Sequence, residues 1–134
     1  DIDAVSYQER CEAELARTFQ TDLRAIAGIP DLLTKLSVPI ALASGSDLAR
    51  LDQCLTLTNL ADFFEDRVFS AEQVARGKPA PDVFLLAAQT CGWVPDHCLV
   101  IEDSPSGVLA AKAAGMRSVG FLGASQCNGC KGLV

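Results

Sequence analysis

Cys98-Leu-Val-Ile-Glu-Asp-Ser-Pro-Ser-Gly107 runs four apolar residues directly into two adjacent carboxylates, Glu102 and Asp103. An uninterrupted apolar run rich in Val and Ile reads as a strand buried on both faces. Two ionised carboxylates side by side are costly to bury unless a cation or hydrogen-bond donors meet them. The pair is therefore expected just past the strand, at its carboxyl end, where open α/β sheets bind ligands. Ser104 then suits a helix cap, Pro105 the first helical turn and Gly115 the helix end.

Outward from this stretch, apolar runs alternate with helical patterns. Ile40–Ala43, Arg67–Ser70 and Ser118–Leu122 are further strand candidates. Helices are expected over residues 4–19, from Gly28-Ile-Pro30, from about Asp47 to Leu57, through Val83 to Cys91 with Gly92 closing it, and from Pro105 to Ala114. In the first of these, Tyr7, Cys11, Leu15 and Phe19 recur at every fourth residue and mark its apolar face. The alternation predicts an α/β fold, a Rossmann-like, mostly parallel sheet with helices on both faces. Gly123–Val134 is Gly-rich and carries no element that periodicity supports.

With 134 residues, 49% hydrophobic and 21% charged, the chain suits one globular domain and not a disordered or fibrous one. The net charge of −6 and the lack of a basic cluster argue against nucleic acid and against anionic membrane surfaces. No apolar run approaches the ~20 residues of a membrane span. Four of the six cysteines, Cys11, Cys54, Cys91 and Cys98, sit in apolar patterns as small hydrophobes, which suggests a reducing, cytoplasmic setting. Cys127-x-x-Cys130 is a close pair without a second zinc half-site and reads as free thiols.

Three polar clusters fall where strands or turns end: Ser44-Gly45, Lys78, and Glu102 with Asp103. Taken singly, Ser44 or Ser46 could be a helix cap, Lys78 a solvated lysine and Asp103 a turn residue. Taken together on one sheet edge they form a coherent set. Carboxylates can hold Mg²⁺, a lysine can neutralise phosphoryl charge, and a hydroxyl with free amides at a helix start can bind phosphate oxygens. Phosphoryl transfer needs such positioning, plus a nucleophile.

The sequence here resembles a known family. Ala43-Ser-Gly-Ser46, then Gly77-Lys-Pro-Ala-Pro-Asp82, then Val100-Ile-Glu-Asp-Ser-Pro-Ser-Gly107 with Ala110, Ala111, Ala114, Gly115 and Met116, are similar to the second, third and fourth motifs of the haloacid dehalogenase superfamily. The branch most resembled is that of the β-phosphoglucomutase-like phosphatases and phosphomutases. The resemblance covers about residues 20–123. It implies that Ser44 and Gly45 bind the transferring phosphoryl group of a small phosphorylated metabolite. It also implies that Lys78 stabilises charge there and that Glu102 and Asp103 bind Mg²⁺. Residues 1–19 would be a remnant of the helical cap domain, and 20–134 the core.

The family's first motif, a strand ending in Asp-x-Asp with Gly-Thr after it, supplies the nucleophile. Asp1-Ile-Asp3 has the acidic spacing without the apolar strand or the Gly-Thr. The core is therefore expected to lack its first strand, which would lie between Ile40–Ala43 and Cys98–Ile101. Two readings follow. In one, the chain is part of a phosphatase or phosphomutase whose upstream portion lies elsewhere. In the other, it is a complete, non-catalytic phosphate- or Mg²⁺-binding or interaction module that closes its sheet as a dimer or by a segment swap.

Overall fold

A computed structural model describes residues 4–123 of the chain. The elements run in the order α1 (Ala4–Asp22), α2 (Ile29–Lys35), β1 (Leu42–Ser44), α3 (Leu48–Leu57), α4 (Ala61–Phe64), β2 (Val68–Ser70), α5 (Asp82–Cys91), β3 (Leu99–Glu102), α6 (Pro105–Ala113) and β4 (Arg117–Gly120). Helices and parallel strands alternate, so the α/β expectation holds. Their ends fall where local chemistry puts them. Gly92 closes α5 at φ 70°, and the Ser104 hydroxyl accepts the Gly107 amide at the start of α6.

Contacts divide the described residues into two compact units: 4–39 with 52–63, and 40–51 with 64–123. The first unit holds α1, α2 and most of α3. Its long helix forms as the four-residue repeat predicts, but the apolar face stays open, with Tyr7 61% and Leu15 36% exposed.

The second unit holds all four strands. They form two parallel ladders, β1 with β2 and β3 with β4, and among the described residues no strand joins the ladders. The first rests on α5 and the second on α6. Phe69, Val83, Phe84, Ala87, Ala88, Ala110, Ala111, Ala114 and Met116 are the buried core. Ala43 of β1 and Val100 of β3 pack against that same core. Small residues on α6 let the helix lie close to the sheet, which is how Ala110 and Ala111 become fully buried.

One expectation needs correction. The strand read as buried on both faces is buried on one. Val100 and Glu102 turn inward, whereas Leu99 is 55% and Ile101 62% exposed. Successive side chains on a strand point to opposite faces, and α5 and α6 cover one face only. The apolar run announces two apolar faces, of which the described residues cover one. The thiols fit their reading better: Cys54, Cys91 and Cys98 are half-buried, though Cys11 is exposed. Burial pushes the Cys91 and Cys98 thiols up, which keeps them protonated. Asp1, Asp3, Cys127 and Cys130 lie outside the described residues.

Candidate active site

All five candidate residues belong to the second unit, at the carboxyl ends of β1 and β3 and in the turn before α5. Lys78 ties them together. Its ammonium donates to the Ala43 carbonyl at 3.2 Å and to Glu102 Oε1, and it sits 4.7 Å from the centroid of the Phe84 ring. Lys78 is therefore not a solvated lysine: its side chain is 13% exposed and that of Glu102 is 8% exposed. The Phe84 face adds a cation–π contact to the pair.

Two features hold Lys78 there. Arg76 clamps Asp82 from both sides of the turn, with Nε 3.1 Å and Nη2 2.7 Å from the two carboxylate oxygens. The bond from Arg76 keeps the Asp82 carboxyl below its usual range. The second feature is the ladder carbonyl of Ala43. In β1, Leu42 donates across to Arg67 of the β2 side, so the next carbonyl along faces the opposite edge, where Lys78 meets it.

Glu102 and Asp103 separate. Glu102 is folded inward over α6, its Oε2 accepting the Ser104 amide at 3.1 Å and the Ser104 hydroxyl at 2.8 Å. Gly107 leaves the space it occupies, since a Cβ at that position would collide with the Glu102 carboxyl group. Asp103 is exposed. Ser44 is half-buried with its hydroxyl accepting the Ser46 amide at 3.2 Å, and Gly45 is exposed with open space around its Cα. The structure thus brings Lys78 and Glu102 into direct contact beside Ser44, and it leaves Gly45 and Asp103 facing outward.

Burial by itself would raise the Glu102 carboxyl. The Lys78 ammonium and the Ser104 hydroxyl and amide outweigh it, and the carboxyl lies below the usual glutamate value. A group with a depressed folded pKa contributes stability that is present above its unfolded value and lost as pH falls through the folded one. Unfolding midpoints in urea are therefore expected to fall as pH drops from about 6 to about 3. Glu102→Gln should flatten that acid limb, and an unchanged slope in the variant would refute this assignment.

Both Glu102 oxygens already meet donors, and among the described residues no group of three Asp, Glu, His or Cys gathers around a common point. Mg²⁺ binds through one or two carboxylates and completes its shell with waters and substrate phosphate. The residues present fit as one part of such a site.

Sequence reasoning missed Arg76, the partner of Asp82, and Ser70, which is fully buried and holds the turn after Ser44. A weak signal existed for the first, as opposite charges flank Gly77-Lys-Pro-Ala-Pro81. None existed for the second.

Comparison with known proteins identifies the family. The model of the haloacid dehalogenase-like hydrolases matches residues 3–115. The chain belongs to that family. Fructose-1-phosphate phosphatase YqaB of Escherichia coli (strain K12) is 44% identical over 81 residues, 60% of this chain and 43% of that protein. A haloacid dehalogenase family hydrolase of Deinococcus radiodurans R1, solved with bound phosphate and sodium, superposes with a TM-score of 0.75 at 35% identity. That match covers 82% of this chain and 51% of the other. A β-phosphoglucomutase candidate of Thermotoga maritima gives a TM-score of 0.82 at 29% identity, over 95% of this chain and 62% of that one. The chain thus spans less than two thirds of the length of each of these relatives. Among the described residues, no helix of this family member is long and apolar enough to cross a membrane.

Proposed function

We propose that the whole protein is a Mg²⁺-dependent phosphatase or phosphomutase acting on a small phosphomonoester such as a sugar phosphate. It works through an aspartyl-phosphate whose nucleophile lies outside this chain. The observation that carries this is the clasp in which Lys78 joins the carboxyl end of β1 to Glu102 of β3, next to the turn of half-buried Ser44 and exposed Gly45. Phosphatases on small phosphorylated metabolites among the relatives support the substrate class. The bound phosphate in the Deinococcus relative supports phosphate as the recognised group.

In this reading the Ser44 hydroxyl and the Gly45 amide bind phosphoryl oxygens. Lys78 balances the charge that spreads over those oxygens as the P–O bond breaks. Asp103, with Glu102 beside it, holds Mg²⁺, which when bound neutralises part of the phosphoryl charge. Glu102 also keeps the Lys78 ammonium aimed. A carboxylate from outside the chain attacks phosphorus and the substrate oxygen leaves. Water then cleaves the acyl phosphate, or a second hydroxyl accepts the phosphoryl group in a mutase. β1 and β3 have one strand partner each among the described residues, which suits a further parallel strand bringing that carboxylate to the same edge. Residues 1–19 read as the end of a cap.

The test is phosphate release from a panel of sugar phosphates, fructose 1-phosphate among them, by the protein carrying its upstream segment. Mg²⁺-dependent turnover is expected, falling roughly 100-fold or more in Asp103→Asn. Turnover indifferent to Mg²⁺ and to that substitution would sink the proposal. The 134-residue chain alone is expected to be inactive. Robust hydrolysis by it would return the nucleophile to Asp1 or Asp3.

A further inference from the structure

We infer that Ser70 and Glu72, neither of which is among the candidate phosphate-binding residues, are positioning residues that set the shape of the Ser44-Gly45 turn. This inference rests on that turn being the phosphate contact.

The turn is held by atoms of β2 and the segment after it. Ser44 and Ser70 are the last pair of the β1–β2 ladder. Beyond that pair the ladder has no backbone partner to continue with, and side chains take over. The Ser70 hydroxyl, with the residue fully buried, donates to the Ser46 carbonyl at 2.7 Å and accepts the Glu72 amide at 3.1 Å. The Glu72 carboxylate accepts the Leu48 amide at 3.3 Å, at the first residue of α3. The Ser70 amide in turn donates to the Gln73 side chain at 2.7 Å, which closes a capping box around the short turn Ala71–Gln73.

The consequence is a turn held at both of its ends. Both peptide units that flank Ser46 are fixed, the first through its amide by the Ser44 hydroxyl at 3.2 Å and the second through its carbonyl by Ser70. A trans peptide holds its C=O and N–H antiparallel. With the Ser46 carbonyl bonded to Ser70, the Asp47 amide of the same peptide unit is turned away from Ser70. Gly45, exposed and without a Cβ to restrain it, is the loosest residue of the turn, and it is bracketed by these anchors. Without them its backbone would sample many conformations, and an anion would have to order it on binding.

The experiment titrates the 134-residue chain with inorganic phosphate and follows the Gly45 amide by NMR, at a temperature where each variant is folded. Ser70→Ala and Glu72→Ala are each expected to weaken phosphate binding by about fivefold, the size of one net hydrogen bond. Ser70→Thr and Glu72→Gln keep the hydroxyl and the acceptor, and should restore it. A purely structural role would lower the melting temperature of the alanine variants and leave the phosphate Kd unchanged. That outcome would overturn the inference alone. Failure of the unsubstituted chain to bind phosphate would overturn it together with the reading of Ser44-Gly45. Should Ser70→Ala not fold, the exposed Glu72 pair still decides the matter.

Discussion

Lys78→Met should cost the fold about 3–5 kcal/mol, because it strips the counter-charge from a buried carboxylate. Glu102 is 8% exposed and its carboxyl group lies against Gly107 of α6. Ser104 can donate to one of its oxygens, and the other loses the ammonium. The loss is a large part of the roughly 5–15 kcal/mol that holds a typical domain together, so urea midpoints should fall steeply. The pH dependence should also reverse. Without Lys78, burial is the largest influence left on Glu102 and pushes its pKa above the unfolded value. The variant should then gain stability as pH falls toward about 5, where the unsubstituted protein gains none. Lys78→Met with Glu102→Gln should recover more than half of the loss, since an amide leaves no buried charge. A single variant as stable as the parent would mean that the ion pair is not buried in solution.

The same pair shows what the sequence could and could not say. The apolar run from Cys98, the Ser104 cap and the Gly115 stop each follow from local chemistry, and each stands where expected. The convergence of Ser44, Lys78 and Glu102 was legible because parallel strands share one carboxyl edge. The division of labour between Glu102 and Asp103 was not. Two adjacent carboxylates look equivalent in a sequence, yet the period of two along a strand must send one inward and one outward. Which one goes in depends on Gly107, five residues later, and on a lysine 24 residues earlier.

Ser70 and Arg76 were missed for a related reason. Their partners are the Ser46 carbonyl and Asp82, and a bond to a backbone carbonyl 24 residues away leaves no trace in residue type. The exposed faces of α1 and β3 failed differently. Periodicity reports that a face is apolar, and it is silent on what covers that face. Tyr7, Leu15, Leu99 and Ile101 are apolar residues at the predicted positions without cover among the described residues of their own unit.

Gly107→Ala sets two local rules against each other, and the larger should win. Gly107 is the third residue of α6, where alanine is the better helix former by about 1 kcal/mol. By propensity alone the substitution stabilises. The added Cβ, however, would stand where the Glu102 carboxyl group lies. That group cannot shift without giving up Lys78 or Ser104. Overpacking of this kind costs roughly 1–3 kcal/mol, and partial loss of the buried pair adds to it. Gly107→Ala should therefore destabilise by about 2 kcal/mol or more, measured by urea unfolding. The deciding comparison is a cycle with Glu102→Ala. Once the Glu102 side chain is gone the collision is gone with it, and Gly107→Ala should stabilise that background by up to about 1 kcal/mol. A reversal of sign would establish that Gly107 serves to seat Glu102. The same penalty in both backgrounds would show that α6 itself rejects a side chain there, leaving Glu102 seated by Lys78 and Ser104 alone.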